Sequence, residues 1–439
     1  MRMRAAIATI GTIMLTAPAL ATSLDDELRA IVKDPQKPLA SLSVLAIRDG
    51  RIVYQRQFGT RWIDAANPAN SRPANEKTLY RIASITKLMT ALGALRLVEQ
   101  GRLDLDTDIG RYLGYEVRNP HFPDTPITLR MLLTHTASLR DDADYVFAAG
   151  TEIREFLVPG GKLHGKGAMW SPKAKPGDYF AYCNLNSGVV GTIMEKATGE
   201  RFDRLMRRLV LDPLGMSGGF NPAEMPPERV QDIAAIYRKA TAGDEQVWNP
   251  AGPWIAQVDD FSTSGFLTRA EPDYVIGRNG ALFGPQGSLR ATAADLGRVM
   301  LMLMNRGTLD GRRFLDTRTV DAMLARHWKS NGGTNGESWR DAMQAWGLGN
   351  QQFVDVSGPG TGDRLVEGGG FTAVGHLGNA YGLHGAFVFD PRTKNGIVYL
   401  AGGTGFDPET DRGHYSGLRH YEERILTAIH ARALQGKAV

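Results

Sequence analysis

Cysteine is almost missing from this chain: Cys183 is the only one in 439 residues, so no internal disulfide can form. Excess charge is scarce too, since 51 Lys and Arg against 47 Asp and Glu leave +4, two of it in the opening Met-Arg-Met-Arg. So weak a field, with no basic run, argues against nucleic acid as a partner. No group of His, Cys, Asp and Glu has metal-ligand spacing and there is no HExxH, so neither a metal nor another cofactor is expected. Beyond residue 24 no apolar run is long enough to cross a bilayer, and no internal repeat or low-complexity tract is visible. A composition of 42% hydrophobic and 22% charged residues excludes collagen-like, coiled-coil and wholly disordered chains.

What is present begins at the N-terminus. Arg2 and Arg4 precede apolar and small residues from Ala5 to Ala21, closed by Ala19-Leu20-Ala21. This is the pattern of a secretory signal peptide over residues 1–21, and it predicts a secreted or periplasmic protein with no membrane span after cleavage. The remaining length exceeds the roughly 250–300 residues at which one core stops growing, so two packed units are expected.

Hydrophobic periodicity organises the rest. Leu24–Val32 reads as a helix, Leu42–Phe58 as two strands around Asp49-Gly50, and Leu79–Gly101 as the strongest helix. Shorter helices are expected over 127–133, 187–198 and 201–211, and a longer one from Thr292. Residues 112–126 and 212–285 read as loop. The stretch 368–402 reads as strands with a turn at Asn395-Gly396, and 415–434 as a closing helix. The expected fold is α+β, with an antiparallel sheet built from both ends of the chain (22–104 and 286–439), flanked by helices, and a mostly helical unit (105–285) inserted between them.

Two familiar motifs fail on context. Gly160–Gly167 has phosphate-loop spacing, but Gly167 stands where a Ser or Thr should be and no helix follows. Gly215-Met216-Ser217-Gly218-Gly219 fits the nucleophile elbow, yet has loop on both sides where a strand and a helix are required.

Three others hold. Ser84 is the only serine with a lysine three positions on, Lys87, at the start of the strongest helix. Residues i and i+3 share a helical face, so the Lys87 amine can reach the Ser84 hydroxyl and serve as its base if burial keeps it neutral. Tyr182 is the only tyrosine with an asparagine two on, Asn184. A phenol pushed toward ionisation by a neighbouring lysine could move protons, and an amide can bridge lysine and substrate. Cys183 between them has no histidine nearby in sequence, which leaves it as packing. His376 is the only histidine with a glycine two on, Gly378, where a substrate backbone could lie close to a strand. Each pattern is weak alone, and the three in this order are specific.

The order S-x-x-K, Y-x-N, H-x-G resembles the penicillin-recognising serine hydrolases, nearest their class C β-lactamase, DD-peptidase, D-aminopeptidase and family VIII esterase branch. Phrases such as LYRIASITKLMTALGALRLVEQGRLDLD, ITLRMLLTHTASL and YCNLNSGVVGTIMEKATG carry the likeness along residues 24–430. The resemblance implies Ser84 as acylated nucleophile, Lys87 as its base and Tyr182 as proton shuttle. Asn184 would orient Lys87 and substrate, His376 and Gly378 would form the third motif, and the backbone N–H groups of Ser84 and Asn379 the oxyanion hole. His135 would be supporting structure, and the segment 221–283, with Trp248 and Trp254, could line the pocket.

The third motif departs from K-T-G: His replaces Lys, and Leu377 replaces a hydroxyl residue that helps hold the carboxylate of penicillins and D-Ala-D-Ala peptides. A hydrogen bond to a charged group is worth roughly 1.5–3 kcal/mol, so esterase or amidase activity on a small ester, amide or peptide ranks above β-lactamase or DD-carboxypeptidase activity. A non-catalytic protein that captures cell-wall fragments is the competing class.

Overall fold

The computed structural model describes residues 23–148, 150–241, 244–263 and 273–436, so the signal-peptide segment lies outside the described residues. The elements that position the site are α1 (Leu24–Val32), β1 (Ser41–Arg48), β2 (Arg51–Trp62), α2 (Ile85–Glu99), α3 (Asn184–Thr198), α4 (Ala293–Met304), β3 (Gln351–Phe353), β4 (Ala373–Ala380), β5 (Leu383–Asp390), β6 (Asn395–Thr404) and α5 (His420–Ile429).

One large sheet runs β3-β4-β5-β6-β1-β2, antiparallel throughout this path, so strands from both ends of the chain meet where β6 pairs with β1. The central strands are buried on both faces because alternate side chains feed two cores. Leu45, Ile47, Phe387, Phe389, Val398 and Leu400 pack with α2 and α4. Val44, Ala46, Ala386, Val388, Ile397 and Tyr399 pack with α1 and α5. Covering both faces explains why GAFVFD and GIVYLAGG read as unbroken apolar runs rather than alternating ones. The α+β architecture, an antiparallel sheet flanked by helices, is as expected.

Turn chemistry worked at Asp49-Gly50, where both residues have positive φ (51° and 73°), the type I′ geometry that suits a two-residue hairpin. It misled at Asn395-Gly396. Those residues open β6, and the turn is the preceding Pro391–Lys394, closed by Lys394 N–H to the Asp390 carbonyl at 2.9 Å. Gly396 serves packing instead, since a Cβ there would run into Met300 Sδ.

The helix expected over 79–101 begins only at Ile85, because Tyr80–Arg81 first pairs with Arg290–Ala291. Residues 212–285, expected as loop, contain strands Ile236–Thr241, Asp244–Trp248 and Trp254–Val258, the first running parallel to the end of β6. Their short length and the Gly and Pro residues between them hid the alternation.

The strand β4 matters most. It pairs with β5 through Val374–Ala380 but with β3 only through Ala373–Gly375, so residues 376–380 form a free edge. That edge faces the start of α2. Gly378 is required there by the chain itself: a Cβ would stand 2.7 Å from the Ile82 carbonyl oxygen and 3.5 Å from Ala83 Cβ. Close approach of residues 82–83 by itself calls for a glycine here. Gly378→Ala should therefore overpack the contact and destabilise the protein by ~1–3 kcal/mol in urea denaturation, and an unchanged midpoint would refute the contact.

Candidate active site

Ser84 sits at the turn into α2. Ala83 before it is held at φ 48°, the left-handed region costly for a residue with a Cβ, and Ser84 itself is helical at φ −65°. As N-cap residue it makes no side-chain capping bond, which leaves Oγ free. One turn on, Lys87 is 3% exposed, and its Nζ lies 2.9 Å from Ser84 Oγ, 2.7 Å from Asn184 Oδ1 and 3.0 Å from the Gln286 carbonyl oxygen. Gln286 is brought there by a loop pinned to α2 through Thr90 Oγ1 donating to the Pro285 carbonyl at 2.8 Å. Burial lowers the Lys87 pKa from the usual lysine range to about 7, and Asp141 acts the other way. Burial therefore does what a catalytic lysine needs.

Tyr182 closes the group. The Lys87 amine stands 4.9 Å from its ring centroid, and Ser84 is a hydrogen-bond partner of its hydroxyl. The ring rests on His135 at 4.6 Å, with Trp346 and His376 at 5.8 and 6.2 Å. Burial pushes the phenol well above its ordinary pKa, and the Ser84 hydroxyl beside it only partly opposes this. The expectation of a phenol driven toward ionisation is thus corrected: a neutral lysine supplies no stabilising charge, and the low-dielectric surroundings favour the protonated phenol. His135 supports from behind, its Nδ1 accepting from Cys183 N–H and Asn186 Nδ2, both at 3.1 Å. Cys183 is fully buried with its thiol pKa pushed up by burial, so its role is packing, as expected.

On the opposite wall, His376 is 3% exposed and burial lowers its pKa to about 3, so it is neutral. Its Nδ1 lies 2.6 Å from the Leu377 carbonyl oxygen, which can only accept. The proton is therefore on Nδ1, and Nε2 keeps a lone pair that is buried without a partner among the described residues. The turn Tyr381-Gly382, both at positive φ (57° and 96°), makes Ala380 and Leu383 a hydrogen-bonded pair. Antiparallel alternation then points the Asn379 N–H away from β5 and off the free edge, on a strand that lines the same cavity as Ser84.

All seven expected residues come together: Ser84, Tyr182, Asn184, His376, Gly378 and Asn379 line one cavity of about 480 Å³, with Lys87 bonded to Ser84 behind its wall. Tyr145, Phe147, Trp339, Met343 and Tyr381 give the cavity an apolar, aromatic side. Trp248 and Trp254 are not part of it; Trp254 packs on Tyr237 at 6.4 Å, and among the described residues of that segment only Ala281 and Leu282 reach the cavity wall. Ser217 lies elsewhere, bonded to Asp295 at 3.0 Å and Arg229 at 2.8 Å. Gly160–Gly167 is a run of turns away from the cavity. Asp141 and the Gln286 carbonyl were missed, one because a helix cap from 43 residues away leaves no local pattern, the other because a backbone atom leaves none.

The chain is similar to several known proteins. The family described as Beta-lactamase matches residues 24–420. Esterase EstB of Burkholderia gladioli is 33% identical over 226 residues, 49% of this chain and 55% of EstB. The D-alanyl-D-alanine-carboxypeptidase/endopeptidase AmpH of Escherichia coli K12 is 25% identical over 248 residues, 52% of this chain and 58% of AmpH. The matches thus span about half the length of these relatives. Among solved structures, the octameric penicillin-binding protein homologue from Pyrococcus abyssi superposes with a TM-score of 0.63 at 22% identity, over 94% of this chain and 77% of that one. A class C β-lactamase gives 0.61 at 16% identity, over 92% and 94%. With a family match across nearly the whole described chain and the same fold in its structural neighbours, this protein belongs to the β-lactamase family, whose members are serine hydrolases.

Proposed function

We propose that this protein cleaves a small ester or amide through an acyl-enzyme on Ser84. The observation that carries the reading is the buried Lys87 amine at 2.9 Å from Ser84 Oγ, with its pKa lowered to about 7. The neutral amine takes the hydroxyl proton while Oγ forms its bond to the substrate carbonyl carbon. The resulting oxyanion is met by the N–H groups of Ser84 and Asn379; losing one such donor typically costs ~2.7–4 kcal/mol of transition-state stabilisation. Tyr182, protonated at rest, gives its proton to the leaving oxygen or nitrogen and is refilled from the Lys87 ammonium, so the carbonyl–heteroatom bond breaks without a charged leaving group. Water then attacks the acyl-enzyme by the reverse path, returning the proton to Ser84.

The third motif supports esters and amides without a carboxylate. His376 is neutral, Leu377 has no hydroxyl, and the Arg81 guanidinium on the cavity wall is held by Asp259 at 2.9 and 2.7 Å. A carboxypeptidase or β-lactamase reading draws on the likeness to AmpH, and it lacks a group at this motif to pair with a substrate carboxylate. The signal-like residues 1–21 support action outside the cytoplasm.

Incubation with a fluorophosphonate followed by peptide mass spectrometry should place the adduct on Ser84. Ser84→Ala should lower ester turnover by at least ~10⁴-fold while Ser217→Ala stays active. Labelling elsewhere, or full activity of Ser84→Ala, would refute the proposal. A p-nitrophenyl butyrate should be turned over far faster than a chromogenic cephalosporin; the reverse order would favour the β-lactamase reading. Because the base must be unprotonated, kcat/KM should rise as pH passes about 7 and level off above it, since the Lys87 pKa is lowered to that value. A flat profile from pH 5.5 to 8.5 would contradict lysine as base.

A further inference from the structure

Asp141 stands beside the reacting group without touching the cavity. Its carboxylate accepts four hydrogen bonds from three successive residues: Cys183 Sγ at 3.2 Å, Asn184 N–H at 2.8 Å, Asn184 Nδ2 at 2.9 Å and Leu185 N–H at 3.1 Å. Two of these satisfy the free backbone donors at the start of α3, an ordinary N-terminal cap supplied from outside the helix. The bond from Nδ2 does something else. A carboxylate can only accept, so the Asn184 amide must turn its nitrogen to Asp141 and its oxygen, Oδ1, to Lys87 at 2.7 Å.

That orientation settles the geometry of the base. A neutral amine has two hydrogens and one lone pair. Two of the three neighbours of Lys87 Nζ, Asn184 Oδ1 and the Gln286 carbonyl, are pure acceptors and take both hydrogens. The lone pair is left facing the third neighbour, Ser84 Oγ, at 2.9 Å. If the Asn184 amide were reversed, Nδ2 would compete for that lone pair and a lysine hydrogen would face the serine instead.

We propose that Asp141 is a positioning residue for acylation, which fixes the Asn184 amide so that the lone pair of neutral Lys87 is aimed at the Ser84 hydroxyl. The proposal rests on the Ser84 acyl-enzyme reading above. It deepens that reading by naming what aligns the base. The negative charge of Asp141 also favours the protonated amine, so the same residue sets where the base becomes available on the pH scale.

The test is Asp141→Asn in the full-length protein, with kcat, KM, pH profile and thermal midpoint measured beside wild type on one ester. Asn and Asp cap helices about equally well, so the thermal midpoint should be kept. An amide in place of the carboxylate can donate as well as accept, and no longer dictates which way Asn184 points. The expected result is a kcat lower by ~10²-fold with KM little changed, the size of loss that misalignment of a reacting group brings. Its acid limb should move to lower pH, because a charge that raises the lysine pKa is gone. Asp141→Glu, which keeps a carboxylate, should recover part of the rate and the wild-type limb. Wild-type kcat in Asp141→Asn would overturn the proposal. So would a rate loss matched by a lower midpoint with the limb unmoved, which is the mark of a purely structural cap. If wild-type protein itself gives no Ser84 adduct, the underlying reading fails first, an outcome distinct from either of these.

Discussion

A single ammonium-or-amine nitrogen organises this molecule. Lys87 is buried at the junction of α2, α3 and the loop ending at Ser288, and each of those elements places one oxygen within hydrogen-bond distance of its Nζ. Burying a charged lysine with no carboxylate in contact is costly, and the group answers by giving up its proton near neutrality. The destabilising placement and the chemical competence are the same fact. The fold tolerates it because two cores on either side of the sheet, with dozens of fully buried apolar side chains, hold the surrounding elements in place.

Other strained or demanding features converge on the same point. Ala83 is held at positive φ so that the chain can leave the Tyr80–Arg81 strand and enter α2 with Ser84 at the corner. Gly378 lets β4 come against Ile82–Ala83, which brings the free edge of β4 to the serine. His135, itself at φ 56°, grips Cys183 and Asn186 and carries the Tyr182 ring on its face. None of these residues needs to meet a substrate; each accepts local strain or crowding to place one that does.

Much of this was legible in the sequence because the chemistry depends on local spacing. Ser84 and Lys87 share a helical face by arithmetic alone, Tyr182 and Asn184 flank one helix start, and His376 and Gly378 are alternate residues of one strand. The antiparallel sheet built from both ends of the chain was legible as well, from the strand-like stretches at 42–58 and 368–402. What escaped was set by tertiary contacts. Asp141 caps a helix from another segment, the Gln286 acceptor is a backbone atom, and the protonation state of Tyr182 follows from burial that spacing cannot reveal. The strands at 236–258 and the turn at 391–394 escaped because short paired segments and a Pro-initiated turn compete with louder local signals such as Asn395-Gly396.

The chemistry stands on Lys87 being a neutral base at working pH. Heteronuclear NMR titration of the lysine ε-carbons, with the Lys87 resonance assigned by its loss in Lys87→Arg, measures this without any substrate. A midpoint near 7, far below the other lysines, is the expected result. A Lys87 signal that titrates with the rest, in the ordinary lysine range of roughly 10, would contradict it.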